Sequence, residues 1–248
     1  MKQSWAIDIN CDVGEGIGNE AQLFPHISSC NLACGGHAGD VSTMKSVILL
    51  AKEHHIKVGA HPSYPDREHF GRKSMVLPPD EFTKSIRTQL GLLNRLLKEE
   101  GVSMHHIKAH GALYNDLAKD EDLVKIYLGS IAHYKDTVCL YVPYGSQIAS
   151  DALKLGFKII YEAFGDRNYK EDLSLVPRGR PNAMITDPKK VLTHLLTIIK
   201  YGKVQIREGQ QLNIVANTFC IHGDTVSAYE ILMYLSEELP KHHIHLEK

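Results

Sequence analysis

The chain lacks several features that would assign it to a familiar class. Its 28 basic and 29 acidic residues leave a net charge of −1, so there is neither a basic excess for nucleic acid nor an acidic tail. No apolar run reaches the roughly 18 residues that a membrane span needs, and the N-terminus lacks the charged-then-apolar pattern of a secretory signal. We therefore expect a cytoplasmic protein that binds neither nucleic acid nor membranes.

Sequence motifs of several common sites are also missing. The five cysteines are odd in number and include no Cys-x-x-Cys pair, which argues against a disulfide framework or a zinc knuckle. Cys34 lies beside two glycines, but no Cys/His signature accompanies it, so we expect a buried thiol and not a nucleophile. The chain has no Gly-x-Ser-x-Gly elbow and no Gly-x-x-x-x-Gly-Lys-Ser/Thr loop. Spacing alone therefore indicates neither a serine hydrolase nor a P-loop nucleotide site.

What the chain does have is an alternation of strand-like and helix-like segments over 248 residues. The predicted strands end near residues 12, 33, 60, 109, 142, 163 and 221; the predicted helices cover 42–55, 80–100, 120–133, a segment ending at 155, 187–201 and 226–238; the long loops are 62–78 and 165–186. Sequential β-α units imply a parallel sheet with right-handed crossovers, and about 250 residues is typical of a β/α barrel. Because no linker interrupts the chain, we predict one domain, 1–248, with seven strand–helix units.

The first strand carries an unusual polar face. Asp8, Asn10 and Asp12 alternate with apolar residues, and side chains two apart share one face of a strand. Glu15 adds a third acid just beyond the strand. A solvated edge strand would show the same alternation, so this pattern by itself leaves a structural and a functional interpretation open.

Polar groups lie at or just after the end of each of the seven predicted strands. They are Asp12/Glu15, His37/Asp40, His61, Lys108/His110, Tyr144/Ser146, Glu162/Asp166/Arg167 and His222/Asp224. In a β/α barrel these strand ends meet at one rim, which is the active face. The arginines of the two long loops, Arg72, Arg167 and Arg178, could hold a carboxylate or phosphate in a fork, or could form surface salt bridges. Carboxylates with imidazoles suit general acid–base catalysis or a divalent-metal site, and the residues leave both open.

Seven stretches of the sequence, taken in order, resemble the motifs of one known family. They are Asp8-Ile-Asn-Cys-Asp-Val-Gly-Glu15, Asn31-Leu-Ala-Cys-Gly-Gly-His-Ala-Gly-Asp40, Gly59-Ala-His-Pro-Ser-Tyr-Pro-Asp66, Phe70-Gly-Arg72, Lys108-Ala-His-Gly-Ala-Leu-Tyr-Asn115, Glu162-Ala-Phe-Gly-Asp-Arg-Asn-Tyr169 and Ile221-His-Gly-Asp-Thr225. The set is similar to that of the lactam-utilisation family of 5-oxoprolinase A subunits. The chain departs from that pattern at Ala109, where the family usually has proline, and after Arg178, so the loop there is expected to differ in shape.

The resemblance implies a fold and an activity. It implies a distorted seven-stranded β/α barrel similar to polysaccharide deacetylases. It also implies ATP-dependent hydrolysis of the lactam 5-oxo-L-proline to L-glutamate, with magnesium for the nucleotide, together with 5-oxoprolinase subunits B and C.

Under that hypothesis Asp12 is the general base, helped by His110, while His61 and His222 polarise or protonate the leaving atoms and Lys108 offsets developing charge. The expected substrate-binding residues are Asp8, Asn10, Glu15, His37, Asp40, Arg72, Tyr114, Glu162, Asp166, Arg167 and Asp224. Two alternatives remain. One is a hydrolase whose divalent ion is held by Asp12, His61 and His110; the other is a non-catalytic protein that binds a small acid or a sugar.

Overall fold

The protein is a closed parallel β/α barrel. The computed structural model describes residues 3–207, 209–225 and 227–247. Its strands are β1 (Trp5–Val13), β2 (Ser29–Ala33), β3 (Lys57–His61), β4 (His106–Ile107), β5 (Cys139–Pro143), β6 (Lys158–Phe164), β7 (Lys203–Arg207), β8 (Gln210–Asn213), β9 (Thr218–Cys220) and β10 (Ile244–Leu246). Within the described residues, seven of these strands form the barrel in the order β1-β2-β3-β4-β5-β6-β9, and β9 closes it by pairing with both β6 and β1. The predicted seven-stranded barrel is confirmed.

Helices cover the outside of the barrel. They are α1 (Glu20–Leu23), α2 (Val41–Glu53), α3 (Pro79–Glu99), α4 (Gly111–Leu117), α5 (Glu121–Ser130), α6 (Gln147–Lys154), α7 (Pro188–Tyr201) and α8 (Ala228–Glu238). Six of these helices in the described residues correspond to predicted helices, whereas α1 and α4 were not predicted. The predicted start of the last helix, Val226, lies outside the described residues. Across the described parts of the chain, no helix has both the length and the apolar character needed to cross a membrane.

The last barrel strand differs from its prediction. We predicted one strand ending near residue 221 that begins at Leu212, but β8 belongs to an antiparallel hairpin with β7, outside the barrel. The barrel strand is only β9, which starts at Thr218. The error arose because the intervening residues are apolar enough to continue a strand pattern, while the pairing partner of each half is set by tertiary structure.

The polar face of β1 points into the barrel and is not solvated. Asp8, Asn10 and Asp12 are 6%, 0% and 8% exposed, so the edge-strand interpretation is wrong. Ile7 and Ile9, on the opposite face, are buried in the hydrophobic core. Both faces of the strand are therefore covered, as expected for a parallel strand in a β/α protein. The buried acids must consequently find partners inside the barrel.

A buried histidine of α7 predicts how stability depends on pH. His194 Nε2 donates to the carbonyl of Phe164 at 3.1 Å, and burial lowers the pKa of His194 to about 4. Between pH 4 and 6.5 the unfolded chain therefore binds more protons than the folded chain, so the free energy of unfolding rises with pH across this window. Each such histidine contributes up to about 1.4 kcal/mol per pH unit.

We expect His194→Gln, which keeps an N–H for the carbonyl but cannot titrate, to flatten the dependence by ~1 kcal/mol per pH unit. Urea unfolding at a series of pH values measures this slope. His245→Gln, at an exposed position on β10, is the matched control and should keep the parent slope. Equal slopes for His194→Gln and the parent would contradict the assignment.

Candidate active site

The C-terminal ends of β1, β3 and β4 bring four titratable side chains together. Asp12 lies near the end of β1 with Glu15 just beyond it, His61 ends β3, and His110 follows β4. One side-chain nitrogen or oxygen from each of the four lies within 4.8 Å of the others. All four side chains are largely buried. Residues from three of the predicted clusters thus form one site, which we call the rim cluster.

The two imidazoles of the rim cluster face each other through the nitrogens that carry no proton when the rings are neutral. His61 Nδ1 donates to the carbonyl of Lys108 at 2.8 Å. His110 Nε2 donates to the carbonyl of Phe70 at 2.9 Å. The remaining nitrogens, His61 Nε2 and His110 Nδ1, are 3.0 Å apart and have carboxylate oxygens 3.5 and 3.3 Å away, respectively. With both rings neutral, all four atoms are acceptors, so the cluster is suited to take up a proton or a cation.

The loop after β3 is shaped around His110. Phe70 has a left-handed φ of 55°, unusual for a side chain of this size, and this conformation presents its carbonyl to the imidazole. Gly71 follows with φ 61°, and a Cβ there would lie 3.0 Å from both the His110 ring and the Cβ of His37. This close approach explains the Phe70-Gly71 pair in the sequence.

His37 covers the rim cluster and contacts its second carboxylate. Its ring stacks on His110 with centroids 3.6 Å apart, and its Nε2 is 2.9 Å from Glu15. Burial lowers the pKa of His37 to about 4, so near neutral pH the ring is uncharged and donates to the carboxylate. Burial opposes ionisation of Glu15, but the neighbouring imidazoles of His110 and His37 outweigh it and hold the pKa of Glu15 well below its usual range.

Lys108 is a buried cation directly beneath the rim cluster. Its Nζ lies 3.0 Å from Asp12 and 2.9 Å from Glu162, and it also contacts Asn10 Oδ1 and Cys220 Sγ. Burial lowers the pKa of Lys108, but the surrounding anionic groups, led by Asp12, outweigh it and raise the pKa well above its usual value. Burial likewise opposes ionisation of Asp12, yet Lys108 and His61 hold its pKa well below the usual range. Asp12 and Lys108 therefore form an ionised pair in the interior.

His222 is oriented by a carboxylate that lies behind it. His222 Nδ1 lies 2.9 Å from Asp166, which also accepts from the His222 backbone N–H and the Thr225 hydroxyl. Burial opposes ionisation of Asp166, but His222 outweighs it and lowers the pKa of the carboxyl. A ligand atom of His222 lies within 4.8 Å of ligand atoms of Asp12 and Cys220, on the β9 side of the site. The arrangement fixes which His222 nitrogen carries its proton.

Two arginines from different loops meet on one aspartate at the mouth. Arg72 Nη2 lies 2.6 Å from Asp224, and Arg178 approaches the same carboxylate through both terminal nitrogens at 2.9 to 3.3 Å. The side chains of Arg72 and Arg178 remain 41% and 31% exposed, so both guanidinium groups are accessible from solvent. Asp224 thereby ties loop 62–78 to loop 165–186.

Four predicted substrate-binding residues are not placed to contact a ligand at the rim. Asp40 is exposed and caps α2 by accepting from the Thr43 N–H. Arg167 is buried and donates to the carbonyls of Ala183 and Val176, which shapes its own loop. These contacts correct both predictions, because each side chain is committed to local structure.

Asp8 and Asp166 lie deeper in the protein than the rim cluster. Asp8 lies four residues before Asp12 on β1, about 13 Å along an extended strand, and accepts from Ser29 and Thr218 in the barrel interior. Asp166 is fully buried behind His222. The remaining predicted interior residues, Asn10, Tyr114 and Glu162, lie around Lys108: Asn10 donates to Glu162, and burial together with Glu162 raises the pKa of Tyr114 well above its usual range.

The sequence prediction missed one polar residue that contacts the site directly. Asn31 on β2 donates to Asp12 at 2.8 Å and to Asn10 at 2.7 Å. Ser29 and Asn31 are polar at spacing two, the same signal that drew attention to β1, so the pattern was present in the sequence. The buried thiol predicted at Cys34 is confirmed, since Cys34 is only 1% exposed, and this burial raises its pKa to about 12.

Comparison with known proteins gives consistent matches over nearly the whole chain. The family model described as LamB/YcsF matches residues 7–248. A protein from Pyrococcus horikoshii, named as the A subunit of 5-oxoprolinase, is 38% identical over 238 residues, covering 94% of this chain and 93% of the relative. One of the same name from Shouchella clausii is 40% identical over 244 residues, which is 96% of each chain.

A solved structure agrees with the fold. The crystal structure of a lactam utilization protein from Thermus thermophilus aligns with a TM-score of 0.90 at 34% identity, covering 98% of this chain and 99% of that one. A family 4 carbohydrate esterase from Streptomyces lividans aligns with a TM-score of 0.48 at 9% identity, too weak a likeness to support an inference about chemistry. The family-model match and the identities to the named relatives lead to one conclusion: the chain belongs to the LamB/YcsF family.

Proposed function

We propose that this chain is the A subunit of an ATP-dependent 5-oxoprolinase, which hydrolyses the lactam ring of 5-oxo-L-proline to L-glutamate together with subunits B and C. The observation that carries the proposal is the rim cluster, in which two imidazoles and two carboxylates meet above the ionised Lys108 pair. The names of the relatives support the same substrate and a complex of several subunits.

The chemistry requires activation of a stable amide. Transfer of a phosphoryl group from ATP, bound with magnesium, to the lactam oxygen makes the ring carbon open to attack by water. ADP leaves in this transfer; water then adds to the ring carbon, the ring C–N bond breaks, and the nitrogen takes a proton. The product of that step is an acyl phosphate of glutamate, which a second water hydrolyses to L-glutamate and phosphate. The enzyme must supply a base for the water and an acid for the nitrogen.

The geometry suggests a base different from the predicted one. Asp12 is held ionised by Lys108 and Asn31, and a carboxylate whose pKa lies well below its usual range is a weak base at neutral pH. The His61–His110 pair offers unshared nitrogen lone pairs, and Asp12 Oδ2, 3.5 Å from His61, stabilises the proton once it is taken. We therefore assign the base to the imidazole pair and give Asp12 the role of stabilising its charged form.

The opposite wall suits the acid and the substrate anchor. In this proposal the proton donor for the leaving nitrogen is the doubly protonated form of His222, which Asp166 orients through Nδ1–H and which donates from Nε2. In this proposal Arg72 and Arg178 together bind the substrate carboxylate, which replaces Asp224 as their partner. Lys108 offsets negative charge that develops near Asp12.

The test is an assay of ATP-coupled glutamate release by this chain with its own B and C subunits. We expect release that depends on all three proteins, on ATP with magnesium, and on 5-oxo-L-proline. A complex from one of the relatives serves as the positive control. Binding of 5-oxo-L-proline without turnover, in a complex that assembles fully, would favour the non-catalytic alternative and overturn the proposal.

A metal-dependent hydrolase is the second candidate, and the rim cluster is the specific observation that favours it. Four acceptor atoms converging within 4.8 Å fit a divalent cation as well as they fit an added proton. Asp12, Glu15, His61 and His110 would hold the ion, which when bound would activate water.

On that candidate we expect about one equivalent of metal in purified protein, measured by elemental analysis. His61→Ala should lose it, and the exposed control His245→Ala should keep it. A complex depleted of that metal that retains full glutamate release would exclude the metal-dependent candidate and leave the imidazole pair to take up a proton from water.

A further inference from the structure

A buried hydrogen-bonded chain reaches Asp12 from the N-terminal end of the barrel. His106 Nε2 lies 2.6 Å from Asn31 Oδ1, and Asn31 Nδ2 donates to Asp12 Oδ1 at 2.8 Å. On its other side, His106 Nδ1 lies 3.1 Å from His105 Nδ1. His106 and Asn31 are fully buried, and His106 has no place in the reaction described above.

The direction of the Asn31 carboxamide follows from its neighbours. An ionised Asp12 can only accept, so the Asn31 nitrogen must face it. Asn10 Oδ1 must also accept, because the Asn10 nitrogen already donates to Glu162 and Thr218. The Asn31 oxygen is therefore left for His106, and His106 must carry its proton on Nε2.

The surroundings of His106 fit an imidazole in this one orientation. Its ring stacks on Tyr141 with centroids 3.8 Å apart and planes at 6°. The other face lies against Gly59, where a Cβ would come within 2.2 Å of the ring nitrogen. His105, at the Nδ1 side, donates to the lone pair that an Nε2-protonated ring presents. Burial lowers the pKa of His106 well below its usual value, which agrees with a neutral ring.

We propose that His106 is a positioning residue for the rim cluster: it holds the Asn31 carboxamide so that its N–H is donated to Asp12 from inside the barrel. Asp12 Oδ1 is then engaged by Asn31 and Lys108, which leaves Oδ2 directed at His61. The chain orients and does not conduct protons, because a carboxamide in its ordinary form cannot pass a proton from oxygen to nitrogen. Only those tests of the role of His106 that measure activity depend on the proposed function.

The kinetic test compares two replacements in the full complex. His106→Phe keeps the stack on Tyr141 but has no N–H, and we expect it to lower kcat for glutamate release about 10- to 100-fold with little change in KM. His106→Gln retains an amide N–H and should recover most of that loss. His245→Phe, at an exposed position, is the control and should leave kcat unchanged.

Coupling to Asn31 distinguishes positioning from general support of the fold. In an Asn31→Ala background, His106→Phe should cause little further loss of kcat, since His106 acts through that amide. Thermal melting followed by circular dichroism verifies that each variant is folded. A folded His106→Phe with parental kcat, or a loss that adds fully to that of Asn31→Ala, would overturn the proposal.

A spectroscopic readout separates this inference from the proposed function. Nitrogen-15 NMR of the imidazoles in the parent chain should show His106 protonated at Nε2 and unprotonated at Nδ1. The opposite tautomer would overturn the inference whatever the activity. If the parent complex releases no glutamate, the proposed function fails, and the NMR result alone decides the orientation of Asn31.

Discussion

Asp12→Asn is expected to lower kcat for ATP-coupled glutamate release by about 10²–10⁴-fold, the range of a positioned acid–base group. The replacement removes the charge that stabilises a proton on His61. It also places an amide N–H where Oδ2 now faces His61 Nε2, because the other oxygen must still accept from Lys108 and Asn31. That N–H would occupy the lone pair that serves as the base.

The measurement is steady-state kinetics of the assembled complex. Asp122→Asn, in the first turn of α5, makes the same chemical change on an exposed surface and should retain parental kcat. An Asp12→Asn complex with activity near that of the parent would remove Asp12 from the proposed chemistry.

The second large effect is expected from Lys108→Met. Lys108 is 2% exposed between the carboxylates of Asp12 and Glu162, and its loss would leave two buried anions without their cation. Breaking a buried ion pair by removing one partner costs about 3–5 kcal/mol. We expect the free energy of unfolding to fall by an amount of that order, with the melting temperature about 10 °C lower.

The pH dependence of that loss has a definite sign. Asp12, whose pKa is lowered in the folded parent, contributes stability above its unfolded value of 3.8, and this contribution disappears as pH falls through the folded pKa. Lys108→Met lacks this contribution at neutral pH. The difference between variant and parent in the free energy of unfolding should therefore become smaller in acid. Urea unfolding at pH 7 and under acid conditions measures both values. Lys45→Met, which breaks an exposed ion pair with Glu99, is the control, and a Lys108→Met loss no larger than the control's would contradict the prediction.

Much of the barrel and its mouth could be predicted because the relevant signals are local. The alternation of strands and helices fixes a parallel sheet, and the polar residues after each strand then have to share one rim. His61 and His110 were singled out as strand-end histidines beside proline and glycine, and they lie 3.0 Å apart. That prediction needed only the order of the elements.

Two properties could not be predicted in the same way. They are the layer that a side chain occupies along the barrel axis and whether its polar groups are already hydrogen-bonded within local structure. A spacing of two assigns Asp8 and Asp12 to one face, but not to the different layers that they occupy along the barrel axis. His106 and His110 likewise lie four apart on one extended segment, yet one supports Asn31 and the other joins the rim cluster. Arg167 was predicted to bind substrate. The sequence does not specify the path of the loop whose carbonyls accept the hydrogen bonds of Arg167. Asp40, in contrast, has a recognisable helix-capping position and could have been assigned from sequence.

The pairing of β1 also has a consequence for the order in which the molecule assembles. The strand that carries Asp8, Asn10 and Asp12 is synthesised before the other strands of the barrel, but Asp8 accepts a hydrogen bond from Thr218, 210 residues later in the chain. Contacts of such high sequence separation form slowly and late. Until β9 has left the ribosome, the cylinder has no closing strand, and the acids of β1 lack one of their walls. Translation of β9, and not of β1, is therefore the step that supplies the closing wall of the candidate active site.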